Sequence, residues 1–240
     1  MLINCDVKSL ELVVAAELSN DKVMKEEICN KEDLHENNRQ KFGLPSRLIA
    51  KIFNFRLIYG GSAYSYANDP EFSSVSNKVI FWEKVIDAYY SKYHGLYKWH
   101  QELLRICQKN DGVINIPSGR YYKFLPDYQR REPWPLTQIK NYPVQGFGAD
   151  LVMLARIDFF NRFMESGLEG YFIQTIHDSL VADVPRKNID AVAQMMQDSV
   201  ARVPELCYNR WNYKFSLPMT SEVLIGPNKL DMKELNANHA

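Results

Sequence analysis

The chain has 240 residues, 46% hydrophobic and 24% charged, with 29 Lys and Arg set against 29 Asp and Glu. This is the composition of a globular protein of one large or two modest domains; no apolar run approaches the roughly 20 residues of a membrane-spanning helix, and zero net charge gives no whole-chain attraction to a polyanion. Any nucleic-acid surface must be local, and the scattered Cys5, Cys29, Cys107 and Cys207 form no CxxC pair, which points away from a disulfide framework or zinc site and toward a reducing, cytoplasmic setting.

The predicted elements begin with a short strand, Leu2-Ile3 reaching Asp6. A helix follows, with Leu10, Val13, Val14 and Leu18 at helical spacing and Asn20-Asp21 as its end. A polar segment runs through Asn38 and leads to a helix with Ser46 as N-cap and Gly60-Gly61 as stop. The stretch from Asn77 to Gly112 reads as one long helix, bent at Gly95. Short β-like runs around Ser118-Gly119 form a hairpin signature, and the stretch from Asn141 to Gly167 reads as another helix. A second hairpin joins Phe172–Ile176 to Leu180–Val184 through His177-Asp178-Ser179. A helix with Ile189, Val192, Met196, Val200 and Val203 on one face comes next, and the Asn/Lys/Glu-rich tail after Pro227 is loosely held. Helices packed on an antiparallel sheet make the fold α+β.

Three features carry chemistry. Asp178 lies between two apolar strands, where a carboxylate needs either a solvated turn or a cation; an ordinary hairpin turn satisfies the first need. Asp6 is likewise a carboxylate between a strand and a helix, and two such strand-end aspartates can converge on one sheet edge to hold two divalent cations roughly 3.5–4 Å apart, a geometry suited to phosphoryl transfer. Arg47, Lys51, Phe55 and Tyr59 recur every four residues, a helical stripe with cations first and aromatics after. Such a stripe matches a triphosphate and its base, or, read as a lone helix, a solvated basic end and a buried aromatic end.

Taken together these residues resemble the family A DNA polymerases of bacteria and phages. Asp6-Val7-Lys8-Ser9-Leu10-Glu11-Leu12-Val13 is similar to D-Y-S-Q-I-E-L-R; Arg47, Lys51, Phe55, Tyr59 and Gly60, with Asn54 before the Phe, match R-x-x-x-K-x-x-x-F-x-x-x-Y-G; His177-Asp178-Ser179 stands where H-D-E is usual. The stretches DLHENNRQKFGLP and NYPVQGFGADLVM resemble two further motifs, and all five lie in family order. The resemblance implies a right-hand polymerase fold without thumb or exonuclease: an antiparallel palm sheet with flanking helices and a mainly helical fingers subdomain, the palm over 1–20 and 113–240 and the fingers over 21–112.

The resemblance also implies roles. Asp6 and Asp178 would hold two Mg²⁺ ions. Glu11 would lie under the incoming sugar and exclude a 2′-hydroxyl, Arg47 and Lys51 would grip the triphosphate as the helix from Ser46 swings inward, and Lys51 would also assist the departing pyrophosphate. Phe55 would pack on the nucleotide and Tyr59 at the templating position, while Asn141, Gln145 and His177 would contact the minor groove and primer end. The implied substrates are dNTPs and primer-template DNA, in the cytoplasm of a bacterial or phage-infected cell with no membrane partner. With Met1 only five residues before Asp6, the chain would be either the C-terminal part of a longer or split polymerase or a truncated piece of one; an upstream polypeptide carrying thumb and exonuclease is the implied partner, and this chain alone would bind primer-template weakly. Arg56 departs from the family's Gly, Leu48 from a basic residue, Lys8-Ser9 from Ser-Gln, and Ser179 from Glu. H-D-S also occurs in single-subunit phage-type RNA polymerases, which leaves RNA synthesis as one alternative; Glu11 and Phe55 argue against it. A non-catalytic DNA-binding subunit is another.

Overall fold

The structure, a computed structural model, describes residues Met1–Leu235. In chain order its elements are β1 (Leu2–Val7), α1 (Leu10–Ser19), α2 (Lys22–Cys29), α3 (Leu34–Phe42), α4 (Arg47–Ile58), α5 (Ala63–Ala67), α6 (Pro70–Ser73), α7 (Val79–Lys92) and α8 (His94–Lys109). They continue as β2 (Val113–Asn115), β3 (Tyr121–Lys123), α9 (Leu136–Ser166), β4 (Tyr171–Ile176), β5 (Ser179–Asp183), α10 (Ile189–Ala201), α11 (Val203–Trp211), β6 (Ser221–Gly226) and β7 (Lys233–Glu234). The chain divides into two compact units, one of residues Met1–Leu10 and Phe147 onward, the other of Glu11–Gly146. The fold is α+β, as the sequence predicts, and among the described residues no helix is long and apolar enough to cross a membrane.

The first unit is built on a five-stranded sheet in the order β4-β5-β1-β6-β7, with every pairing antiparallel. β1 is its middle strand. Ile3, Cys5 and Val7 are buried on one face while Leu2, Asn4 and Asp6 are half-buried on the other, the alternation of a strand with unequal faces. α10 lies against β1 and β6 and buries Val192, Met196 and Val200. The predicted apolar face extends past this helix, because Val203 opens α11 instead of closing α10. The stretch after Pro227 is tied in part: β7 pairs with Leu224 and Ile225 of β6, and the Leu235 amide donates to the Val223 carbonyl at 2.8 Å. The last part of that tail, 236–240, lies outside the described residues.

The second unit is helical apart from the β2–β3 hairpin. Its core is aromatic: Phe53, Tyr66, Phe72, Trp82 and Tyr89 are fully buried and pack ring to ring, with Phe53 and Trp82 stacked at 6.0 Å and Phe72 edge-on to Trp82 at 5.4 Å. Two sequence expectations change here. The polar segment after Asp21 is helical, because Asp21 and Asp33 cap α2 and α3 by accepting from backbone amides in their first turns. The long helix after Asn77 is interrupted at Tyr93, two residues before the expected bend. Gly95 is required for a different reason: a Cβ there would lie 2.6 Å from the Asp21 Cα, so the glycine lets α8 approach the start of α2. α9 starts at Leu136, five residues before the predicted boundary, and contains Pro143.

Candidate active site

In the first unit, the chemistry depends on where β1 and the β4–β5 hairpin end. The hairpin closes through two residues, His177 and Asp178, between the paired Ile176 and Ser179. His177 has φ 51, a left-handed backbone that is uncommon outside glycine and in which His, Asn and Asp are enriched. Asp6 pairs with Ser179, and the Val7 amide donates to the Asp178 carbonyl at 3.1 Å, so the two aspartates occupy neighbouring strand ends. Both are half-buried and His177 is exposed.

Cys5, directly before Asp6, is fully buried; burial pushes its thiol up to about 11, with a hydrogen bond to Ser221 opposing and the Asp6 charge adding. It is therefore an inert apolar residue under the carboxylate. Ser179 donates its hydroxyl to the Ile176 carbonyl at 3.0 Å, and so ties the hairpin to itself. Among the described residues no group of three or more His, Cys, Asp and Glu side chains gathers as a metal cluster. Two hard carboxylates on adjacent strand ends nevertheless fit Mg²⁺, which is held by one or two carboxylates and keeps water or phosphate oxygens at its other positions.

In the second unit, α4 carries the predicted stripe. Ser46 accepts from the Ile49 amide at 3.2 Å, and the helix ends into Gly60 at φ 88. Ala50, Phe53, Asn54, Leu57 and Ile58 face the core, which leaves Arg47 and Lys51 exposed and Phe55 and Tyr59 half-buried. The Lys51 ammonium lies 5.8 Å from the centre of the Phe55 ring. Arg47 pairs with Asp33 at 2.6 Å. Burial works against the charge on Asp33, but the hydrogen bond from Arg47 and that from the Glu36 amide together hold its carboxyl below the ordinary range.

Tyr59, at the C-cap of α4, draws together residues from two other helices. The Gln145 amide on α9 donates to its hydroxyl at 2.5 Å, and Glu11 on α1 is close enough to act on it electrostatically. Burial first, then the Glu11 charge, push the phenol well above its ordinary range against the Gln145 hydrogen bond, so Tyr59 remains protonated. Asn141, one turn before Gln145, lines a cleft of about 460 Å³ with Arg56, Tyr59, Ser62 and Thr137, and its side-chain carbonyl is buried without a protein partner. Arg56, where the family motif has Gly, pairs with Asp69 at 2.6 Å and lies over the Phe72 ring. Glu11, Tyr59, Asn141 and Gln145 are thus gathered in this unit.

Sequence reasoning missed the support under the stripe. His35 accepts at Nδ1 from Asn54, Asn54 accepts from Asn38, and the Asn38 side-chain oxygen accepts from Lys92 and Tyr93, which both also reach Glu27. All of these residues except Lys92 are buried, and the Lys92 ammonium is itself sequestered. The signal for it in the sequence is Asp33-Leu34-His35, which opens one of the family-like stretches.

The profile of DNA polymerase family A matches residues 1–231. The thermostable DNA polymerase I of Thermus aquaticus is 26% identical over 98% of this chain and 27% of its own length, and the DNA polymerase of Mycobacterium phage D29 is 29% identical over 88% and 35%. The chain therefore spans about a quarter to a third of these curated relatives. The polymerase domain of Pol1 from M. smegmatis, solved in complex with DNA primer-template and dNTP, superposes with a TM-score of 0.78 over 94% of this chain and 39% of that one at 20% identity, a likeness of fold. With the motifs in order, the aspartates on adjoining strand ends and the family profile matched along nearly its whole length, the chain belongs to DNA polymerase family A.

Proposed function

We propose that this chain provides the palm and fingers of a template-directed DNA polymerase, the palm corresponding to 1–20 and 113–240 and the fingers to 21–112. The observation that carries the reading is the bond from the Val7 amide to the Asp178 carbonyl, which keeps Asp6 and Asp178 on adjoining strand ends. In the proposed reaction the primer 3′-hydroxyl releases its proton to water as its oxygen forms a bond to the α-phosphorus of a dNTP, the bond from that phosphorus to the oxygen shared with the β-phosphate breaks, and pyrophosphate leaves with the electron pair. When bound at Asp6 and Asp178, a pair of Mg²⁺ ions supplies activation of the attacking hydroxyl and charge neutralisation at the leaving group.

The remaining roles belong to side chains. Arg47 and Lys51 bind triphosphate oxygens through charge-assisted hydrogen bonds, and Lys51 supplies positive charge to the departing pyrophosphate. Phe55 gives a face for the nucleotide. Tyr59, aligned by Gln145, packs at the templating position, and Glu11 beside it excludes a 2′-hydroxyl. Asn141, Gln145 and His177 offer hydrogen bonds to the minor groove and primer end. Closure of the α4 region over the nucleotide would complete the constellation. Because the relatives are longer, an upstream polypeptide with thumb and exonuclease regions is the proposed partner, alongside primer-template DNA.

The test is primer extension with Mg²⁺, using the chain alone and mixed with the polypeptide encoded immediately upstream. Extension with dNTPs is expected in at least the mixture, and Asp6→Asn or Asp178→Asn should lower its rate by about 100-fold or more while the circular dichroism stays unchanged. DNA binding without extension in either arm would favour a binding subunit, and incorporation of rNTPs at the rate of dNTPs would favour an RNA polymerase.

A further inference from the structure

We propose that Lys92, Asn38 and Asn54 are positioning residues that fix which nitrogen of His35 carries the proton, so that the ring offers an N–H donor to the ligand of the α4 stripe. The inference rests on the reading of that stripe as a nucleotide site. All four residues belong to the 11–146 unit, and the first three act on the ligand only through His35.

The buried network under the stripe has a direction. Two side-chain amides and an imidazole in a row can run either way, because turning an amide over exchanges its donor for its acceptor and a neutral imidazole has one of each. Lys92 removes that choice. Its ammonium, on a side chain 8% exposed and paired with one Glu27 oxygen at 2.6 Å, has donors and no acceptor, so the Asn38 atom 2.8 Å away has to be the carbonyl oxygen. The Tyr93 hydroxyl donates to the other Glu27 oxygen at 2.7 Å and keeps that carboxylate in place. The Asn38 nitrogen then faces Asn54, whose oxygen accepts from it at 3.1 Å. Asn54 is left with its nitrogen toward His35, 2.9 Å from an Nδ1 that can only accept. The proton of the neutral ring therefore sits on Nε2.

The surroundings keep the ring neutral and place it beside the stripe. Burial first, then the Arg47 charge, with Asp33 opposing and Lys51 adding, hold His35 down to about 4. Its ring lies 5.5 Å from that of Phe55, over which the Lys51 ammonium also sits. Among the described residues none accepts from Nε2, and unlike the Nε2 of His100 it is not sealed in the core. That donor is left for a ligand. An anionic oxygen accepts from an N–H, whereas the other tautomer would turn a lone pair toward it. A triphosphate held by Arg47 and Lys51 supplies such oxygens. A purely structural network would be satisfied by either direction; the ammonium at its far end selects the one that leaves the donor outward.

The test is long-range ¹H–¹⁵N correlation NMR of the whole chain, labelled at its histidines, at pH 7 without nucleotide or metal, with His35 assigned by the signal lost in His35→Gln. The parent should show a bare Nδ1 and a protonated Nε2. Asn38→Asp keeps an oxygen for Lys92 but can only accept from Asn54, so it should turn the Asn54 amide over and move the His35 proton to Nδ1, although Asn38 makes no hydrogen bond to His35. Asn54→Asp should put a proton on Nδ1 directly. On the polymerase reading, Asn38→Asp should also raise the KM for dNTP by about 10- to 100-fold with kcat within about twofold, the pattern of a charged hydrogen bond lost from substrate binding. A protonated Nδ1 in the parent, which is read even where a variant fails to fold, or an unmoved proton in both folded variants, would overturn the relay. A moved proton with unchanged KM would overturn its link to the nucleotide. Because the spectra need no catalysis, a chain that extends no primer but shows the shift keeps the relay and loses only the nucleotide assignment.

Discussion

Asp33 serves two helices at once. One carboxylate oxygen accepts from the His35 and Glu36 amides at 3.0 Å and caps α3, while the other pairs with Arg47 at the start of α4. On the proposed role of Arg47, an incoming phosphate would have to displace this carboxylate. Arg47→Ala should therefore raise the KM for dNTP by about 10- to 100-fold, in keeping with the loss of a charged hydrogen bond, while urea melts change little because the ion pair is exposed. Asp33→Asn keeps a capping oxygen and should lower that KM. His35, under the stripe, is held down to about 4 by burial, with Arg47 adding, Asp33 opposing and Lys51 adding again. An unfolded histidine titrates near 6.5, so between about 6.5 and 4 the unfolded chain binds a proton that the folded chain refuses. Stability should fall as pH drops through that window, by up to about 3 kcal/mol, and level off below it. Urea melts of parent and His35→Gln at pH 4 and 7 check this, since the variant should lose most of the slope.

At the scale of elements, one side chain decides how the α2 and α8 termini meet. Asp21, 1% exposed, accepts from the Met24 amide at 2.9 Å through one oxygen and from the Leu96 amide at 3.1 Å through the other. Removing it strips the cap from α2 and leaves a buried N–H on α8 unpaired, so Asp21→Ala should cost about 2–4 kcal/mol. Asp21→Asn, which keeps one acceptor, should cost less; chemical denaturation distinguishes them. The same contact explains why the sequence misplaced the break between α7 and α8. Gly95 suggests a bend through its own freedom, whereas its function is the absence of a Cβ against Asp21. The caps of α4 were legible because Ser46 and Gly60 act on their own helix. The polar α2 and α3 were not, although Asp21 and Asp33 cap them just as locally, since each buries only a few side chains and so lacks a pronounced apolar stripe.

At the scale of the molecule, the first unit depends on β1. It is paired on both sides along its length, to β5 and to β6, while β4 and β7 are edges. Hydrogen exchange should therefore find the Ile3 and Cys5 amides among the slowest of that unit and those of β7 among the fastest. If β1 amides exchanged as quickly as β7, the carboxylates would lack the rigid support that catalysis requires.

The sequence by itself determined what is local: the helix carrying Arg47, Lys51, Phe55 and Tyr59, its cap and stop, the hairpin at His177-Asp178, and the order of motifs that identifies the family. These are written in spacings of two to four residues and in turn chemistry, which act between near neighbours. Only the tertiary structure decided that Asp6 lies opposite Ser179, that Gln145 reaches Tyr59, and that His35, Asn54, Asn38 and Lys92 form one buried network. Those partners are distant in the chain, and a polar residue's pattern reveals that it needs a hydrogen bond without revealing which residue will supply it.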